Sequence, residues 1–411
     1  MAPSSTHPSP VVAAVTLGYG HLRAAAAIAD GLGVKIEEVD RRPAAGPGER
    51  ALWTLARSLY VALSRLSRTS IVGPASRGLL DRVTAIPDGQ RPASLGRGAV
   101  LLLDLMIRRG LGRRFAQRVG RSGSPVVCTF YAPALAADRR VTTPVACLVT
   151  DSDAHRVWGP RDPASSRLVY LAPTSRVVTR LASWGVPPER IILTGFPLPP
   201  ELVDPGAAAA AFARRTARLT TPARAREVPR LTVAVGGAGA QAERGRQLSV
   251  SLAPLVKAGR LRLAMVAGTN TGVAASFRRG LREAGLDDLP PDQVELLWEP
   301  SFIAYYRRFN RLLADTDILW TKPSELSFYA ALGIALVLDD PVGDHERHNR
   351  DWLLELGAAV VRQDPDTADR WIPAWLEDGT LTAVASNGFR RLPRSGTARI
   401  VGFLQTEFTG R

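Results

Sequence analysis

The sequence predicts an α/β protein built from two doubly wound, Rossmann-like parallel-sheet domains in tandem. Three observations carry that expectation. Continuous apolar runs alternate with helix-like segments, as in parallel sheets covered on both faces. The alternation occurs as two series, 11–174 and 231–340, separated by a stretch without strand pattern. The chain has 411 residues, more than one ordinary domain.

The first series reads VVAAVTL at 11–17, AVLLLDLMI at 99–107, PVVCTF at 125–130, PVACLVT at 144–150 and LVYLAPT at 168–174. Each is expected as a strand. The second reads LTVAVGG at 231–237, LRLAMVAG at 261–268, VELLW at 294–298, DILWT at 317–321 and ALVLDD at 335–340. The intervening Ala-, Arg- and Pro-rich residues 204–230 read as a linker carrying a short helix. The expected organisation is a first domain over 1–203, the linker 204–230, a second domain over 231–390, and closing residues 391–411 that return to the first domain as a helix. Such pairs bind ligands in the cleft they face across, at the carboxyl ends of their strands.

Hydrophobic content is 45% and charged content 22%, values of a globular protein, and the net charge is +15. Arginine supplies nearly all of the positive charge, since the lysines are Lys35, Lys257 and Lys322 alone. A basic surface attracts anions such as phospholipid headgroups or phosphorylated substrates. Nucleic acid is not expected as a partner: no helix-turn-helix, zinc-finger or aromatic RNA-binding motif occurs, and aromatic content is 6%. Cys128 and Cys147 lie in apolar runs with no CxxC, which points to neither a disulfide framework nor a zinc site and fits a reducing cytoplasm. No signal peptide is read in the Pro/Ser-rich first dozen residues, and no apolar run reaches the ~18 residues that span a bilayer. Residues 50–68, RALWTLARSLYVALSRLSR, set Leu52, Leu55, Leu59, Leu63 and Leu66 on one helical stripe beside four arginines. They read either as an ordinary packed helix or as a helix touching anionic lipid at a membrane surface.

Gly18 and Gly20 follow the first strand and precede a helix, a place where glycine permits a tight turn and close approach of a ligand. His21 comes next. The positive end of the helix dipole disfavours imidazolium, so His21 should stay neutral and able to accept a proton from a hydroxyl. His155 lies just past the strand ending at Thr150, and His345 and His348 just past the strand ending near Asp340. Four of the five histidines thus fall at expected carboxyl edges, and His7 lies in the tail.

Six segments in order then resemble a GT-B glycosyltransferase, of the group containing monogalactosyldiacylglycerol synthase, processive diacylglycerol glucosyltransferases and the lipid II-forming N-acetylglucosaminyltransferase. They are GYGHLRAAAAIADGL, VTDSDAHRVW, ERIILTGFPLPPEL, VAVGGAGAQ, AMVAGTNTGV, and DILWTKPSELSFYAALGIALVLDDPVGDHERHNRDWLLELGAA. The resemblance implies an inverting transfer of a sugar from a nucleotide diphosphate sugar, UDP-linked, to a lipid-linked or hydrophobic acceptor. No cofactor or metal is expected, because helix dipoles stabilise the leaving diphosphate. His21, Asp151 and His155 become the candidates for the base, with Gly18 and Gly20 as an acceptor or phosphate loop. Gly236, Gly237, Gly239 and Gln241 would cradle phosphate. Asn270, Trp298, Lys322, Ser324, Glu325, His345, Glu346 and Asn349 would complete the donor side, with Leu297 and Trp298 near the base. The implied location is the bacterial cytoplasm, peripheral at the inner face of the membrane.

The chain departs from that pattern. Ser324-Glu325 stand where the family has Gly-Gly, His345 where it often has glutamine, and Ala330 where its ribose-gripping glutamate falls. Losing that carboxylate should cost ~1.5–3 kcal/mol of nucleotide binding. Either Glu325 takes over the ribose, or the nucleotide sits differently, or donor binding is lost and the protein is a silent scaffold. A nucleotide-sugar 2-epimerase is the rival of the same fold.

Overall fold

A computed structural model describes residues 9–54, 97–220, 228–235, 242–406 and 408. The chain divides into two compact units. One is Met1–Pro200 with Val342–His348 and Arg394–Arg411; the other is Glu201–Pro341 with Asn349–Pro393.

The first unit holds a six-stranded parallel sheet: β1 (Val11–Ala14), β2 (Ile36–Glu38), β3 (Val126–Cys128), β4 (Val145–Leu148), β5 (Val169–Ala172) and β6 (Ile191–Leu193), in the order β2-β1-β3-β4-β5-β6. Its crossovers include α1 (Tyr19–Leu32), α2 (Arg97–Arg108), α3 (Arg113–Ser122), α4 (Tyr131–Asp138) and α5 (Ser175–Ser183). The α1 helix buries the Ala24–Ala27 run against the sheet and ends at Gly33, whose φ of 67° is the left-handed conformation that closes a helix cheaply only with glycine. The core gathers Val126, Cys128, Cys147, Tyr170 and Phe115, all fully buried.

The second unit holds β7 (Arg230–Ala234), β8 (Arg262–Gly268), β9 (Val294–Trp298), β10 (Ile318–Thr321), β11 (Ala335–Leu338) and β12 (Ala359–Val361), again all parallel, in the order β12-β11-β10-β7-β8-β9. Its helices include α6 (Pro205–Thr220), α7 (Ala242–Lys257), α8 (Thr271–Glu283), α9 (Phe302–Ala314), α10 (Asp344–Glu355), α11 (Ala368–Glu377) and α12 (Thr380–Arg391); the first turn of α10 groups with the first unit. The last helix, α13 (Gly396–Thr406), belongs to the first unit, where Thr397 Oγ1 donates to the Leu198 carbonyl.

Strand order fixes where chemistry belongs. Direction reverses between β1 and β3 in the first sheet and between β7 and β10 in the second, and ligands of open α/β sheets bind at the carboxyl ends beside that switch point.

Two segments differ from their sequence-based reading. The run 99–107, expected as a strand, is the body of α2. Its leucines and methionine favour helix, and Asp104 is used within the helix, accepting from Arg108 Nε one turn on at 2.9 Å and from Arg139. Among its described side chains only Val100 and Ile107, two turns apart, are buried. Within 204–230, residues 205–220 form α6, and that helix is stitched into the second unit. Buried Arg215 donates to the carbonyls of Leu313, Thr316 and Leu332 at 2.7–2.8 Å, and buried Arg218 pairs with Asp317 at 2.8 Å. Burial lowers the Arg215 pKa to about 10, against the pull of Asp317. Residues 221–227 lie outside the described residues. The strands β2, β6 and β12, each three residues long, were not among the expected runs.

Candidate functional site

At the first switch point the chain leaves β1 through Thr16, whose amide and hydroxyl both donate to the Asp40 carboxylate, and enters α1 at Gly18. Gly18 has an extended backbone, φ −168°, so no strained turn demands glycine there. A methyl group on it would meet no atom within 4 Å, which suits close approach of a ligand to the backbone. Gly20 lies inside the first turn of α1, and no acidic residue occupies that turn.

His21, the third residue of α1, is pinned from behind. Its Nδ1 stands 2.8 Å from the Thr129 carbonyl and 3.2 Å from the Thr150 hydroxyl, at the ends of β3 and β4. Thr129 is itself fixed: its amide donates to the Ala13 carbonyl at 3.0 Å and its hydroxyl to the His21 carbonyl at 2.9 Å. Burial opposes the imidazolium strongly enough to pull the His21 pKa down to about 4, although Asp151 and the Thr129 carbonyl favour the cation. The expectation of a neutral His21 therefore has desolvation as its main cause, rather than the helix end.

His155 stands close by in an aromatic group. Its ring lies 5.7 Å from Tyr131 and 6.3 Å from Trp158; Phe130 stands 4.6 Å from His21 and 4.1 Å from Tyr131. Buried Nδ1 of His155 makes no hydrogen bond, and burial, helped by His345 and His21, lowers the His155 pKa to about 3. Asp151 is half-buried one residue beyond Thr150. Asp153 is committed elsewhere, to a two-bond pair with Arg180 at 2.7 and 3.0 Å, with His348 Nδ1 at 3.7 Å. The structure thus brings His21, Asp151 and His155 to one edge. Thr129, Phe130, Tyr131 and Thr150 were missed by sequence reading. The signal available for the first three was their place at the end of the apolar run 125–130 or directly after it.

The second switch point is built differently. Gly236, Gly237, Gly239 and Gln241, between β7 and α7, lie outside the described residues. After β10 come half-buried Lys322, then Pro323, Ser324 and Glu325, the last opening a 3-10 helix, Glu325–Leu332. Residues Leu326–Leu332 are all buried. Ala330 is fully buried and packs on α12: a Cβ added to Gly388 would fall 2.4 Å from the Ala330 carbonyl oxygen. Position 330 therefore lies in the core of the unit. Glu325 is half-buried, and so retains exposed surface.

The remaining donor-side candidates serve local structure. Asn270 caps α8, its side chain accepting from the Val273 amide at 3.1 Å. Asn349, fully buried, donates to the Pro323 carbonyl at 3.1 Å and so ties α10 to the loop after β10. Glu346 accepts from the Val342 amide at 2.8 Å and, like His345, groups with the first unit. Trp298 ends β9 half-buried beside buried Leu297, its Nε1 without a hydrogen-bond partner. A cluster unforeseen in the sequence closes the end of β11, where buried Asp339 accepts from Arg362 Nε at 2.7 Å and Arg244 Nε at 3.2 Å. Among the described residues no group of three or more His, Cys, Asp or Glu side chains is arranged to hold a metal ion.

Away from both edges, α2 exposes Leu101, Leu102 and Leu105 to between 46% and 58%. Next to it α3 turns Phe115, Ala116 and Val119 inward and Arg113, Arg114, Arg118 and Arg121 outward. These arginines and Arg109 line a cavity of about 640 Å³ with Glu49. Most of the stripe read over 50–68 lies outside the described residues, which stop at Thr54. No helix among the described residues is long and apolar enough to cross a membrane.

This architecture is of the GT-B type, two Rossmann-like α/β domains. Among solved structures the calicheamicin glycosyltransferase CalG4 superposes with a TM-score of 0.50 at 17% identity, covering 98% of this chain and 99% of that one. A Staphylococcus aureus MnaA–UDP complex gives a TM-score of 0.50 at 14% identity over 74% of this chain and 81% of that one. In sequence, the chain is similar to the processive diacylglycerol β-glucosyltransferases of Bacillus subtilis strain 168, 23% identical over 52% of this chain, and Bacillus cereus strain 03BB102, 24% over 60%. The matched stretch covers 50% and 57% of those relatives, so the chain spans little more than half of their length. No protein-family model matches the chain.

Proposed function

We propose that the protein is a glycosyltransferase that moves a hexose from a UDP-sugar to a hydroxyl of a diacylglycerol-type or otherwise hydrophobic acceptor, with inversion. The observation that carries this reading is His21. It is a neutral imidazole at a switch point, held through Nδ1 so that Nε2 is the nitrogen left to accept a proton. In this mechanism Nε2 takes the proton of the acceptor hydroxyl as that oxygen attacks the anomeric carbon. The new glycosidic bond forms as the bond to the diphosphate breaks, and the nucleoside diphosphate leaves with the electron pair. Attack in line with departure inverts the anomeric centre.

The second unit takes the donor. Lys322 offers charge to the diphosphate, and Glu325, in place of position 330, accepts the ribose hydroxyls. The sequence relatives, named for diacylglycerol glucosyl transfer, and the UDP-bound neighbour support the choice of lipid and nucleotide. The exposed leucines of α2 and the outward arginines of α3 support delivery at an anionic membrane surface, with apolar side chains entering the headgroup layer and guanidinium groups on phosphate.

The test is direct. The protein, UDP-glucose and dispersed diacylglycerol should give a glucosylated lipid and an equal amount of UDP, with the product anomer opposite to the donor's. Sugar conversion without acceptor product would replace this reading with an epimerase. A calorimetric panel of UDP, GDP, dTDP and CDP that shows no binding would favour the silent scaffold.

A further inference from the structure

The surroundings of His21 Nδ1 go beyond a single hydrogen bond. A carbonyl oxygen only accepts, so the 2.8 Å contact with Thr129 requires a proton on Nδ1. With that proton in place the Thr150 oxygen, 3.2 Å from the same nitrogen, faces it as a second acceptor, and the threonine's own proton must turn elsewhere. Both threonines are buried, at 0% and 3% exposure, so water does not compete for the contact. The carbonyl is rigid, because the Thr129 amide is locked to Ala13 and its hydroxyl to the His21 carbonyl.

We propose that the Thr129 carbonyl and the Thr150 hydroxyl form a two-acceptor seat that fixes His21 in the Nδ1–H tautomer, making Thr150 a positioning residue for proton transfer at Nε2. The seat takes the place of the carboxylate that orients the histidine in a Ser-His-Asp arrangement. It holds the ring before the acceptor arrives, and it gains strength when the ring becomes charged, because hydrogen bonds from an ionised donor are about twice as strong as neutral ones. A backbone carbonyl and a hydroxyl carry no net charge. They orient the ring, while the charge that favours the imidazolium comes from Asp151.

This inference rests on the reading of His21 as the base, and its test separates the two. In protein labelled with 15N at histidine, the His21 ring, assigned by its loss in His21→Gln, should show a protonated Nδ1 and a bare Nε2 at neutral pH. The Nδ1 proton should exchange faster in Thr150→Val and recover in Thr150→Ser. In the transfer assay Thr150→Val should lower kcat about 10-fold, the worth of one hydrogen bond to a charged donor, with KM and nucleotide affinity unchanged and activity restored by Thr150→Ser. A wild-type ring protonated on Nε2, or a Thr150→Val protein equal to wild type in both exchange and kcat, would overturn the seat. Absence of transfer by the wild type would strike the functional reading alone, since the spectrum still decides the tautomer.

Discussion

The carboxyl edges of the two sheets follow the same topological rule and use their polar groups in opposite ways. At the first edge, His21 and His155 are neutral because burial penalises their charge, and His155 keeps an unused ring nitrogen. At the second edge, Asp339, Asn349 and Asn270 are spent on internal bonds that hold loops and helix ends. Burial at the one edge keeps two imidazoles neutral, while the other edge commits these polar groups to holding loops and helix ends in place.

The largest expected effect tests the frame. Ala330→Glu places a carboxylate in a packed interior against Gly388, and should destabilise the fold by ~3 kcal/mol or more. Urea unfolding measures it. An unchanged midpoint would mean that position 330 is open to a ligand after all, and that the contrast between the edges is false.

The next effect concerns pH at the first edge. The base must be unprotonated, and the pKa of His21 is lowered to about 4. Turnover should therefore stay level as pH falls from 7 to about 5, then drop tenfold per unit below about 4. Stability has the matching sign: between the unfolded pKa near 6.5 and the folded value of about 4, only the unfolded state takes up the proton, so stability falls as pH drops through that window. An acid limb centred near 6.5 would place the base elsewhere.

Smaller effects sharpen the division of labour. Glu325→Ala should weaken UDP binding about 10-fold if it holds the ribose, as loss of a charged hydrogen bond implies; an unchanged calorimetric dissociation constant removes it from the donor site. Replacing Leu101 and Leu102 by serine should lower retention on anionic vesicles about threefold while leaving turnover on dispersed acceptor unchanged, in line with loss of modest apolar area. Equal retention would detach α2 from the membrane reading.

Much of this was legible in the sequence. Nine of the ten apolar runs read as strands became strands, because β-branched and leucine-rich runs bounded by Gly and Pro leave few alternatives. The exception, 99–107, shows the limit: an apolar run of that length reads the same as helix or strand until its partners are known, and the role of Asp104 comes from Arg108 and from Arg139, 35 residues away. His21 was visible through its place after a strand. Thr129 and Thr150 were not, since nothing in a lone threonine announces a neighbour 108 or 129 residues away. The burial of Ala330 against Gly388 was not legible either, since it depends on a helix 58 residues further along the chain.

The most direct test of the account is His21→Ala, with glucosylated lipid, released UDP and UDP affinity measured on the same preparation. Turnover should fall about 10²- to 10⁴-fold, the usual worth of a positioned base, with UDP affinity unchanged. Turnover equal to that of the wild type would contradict it.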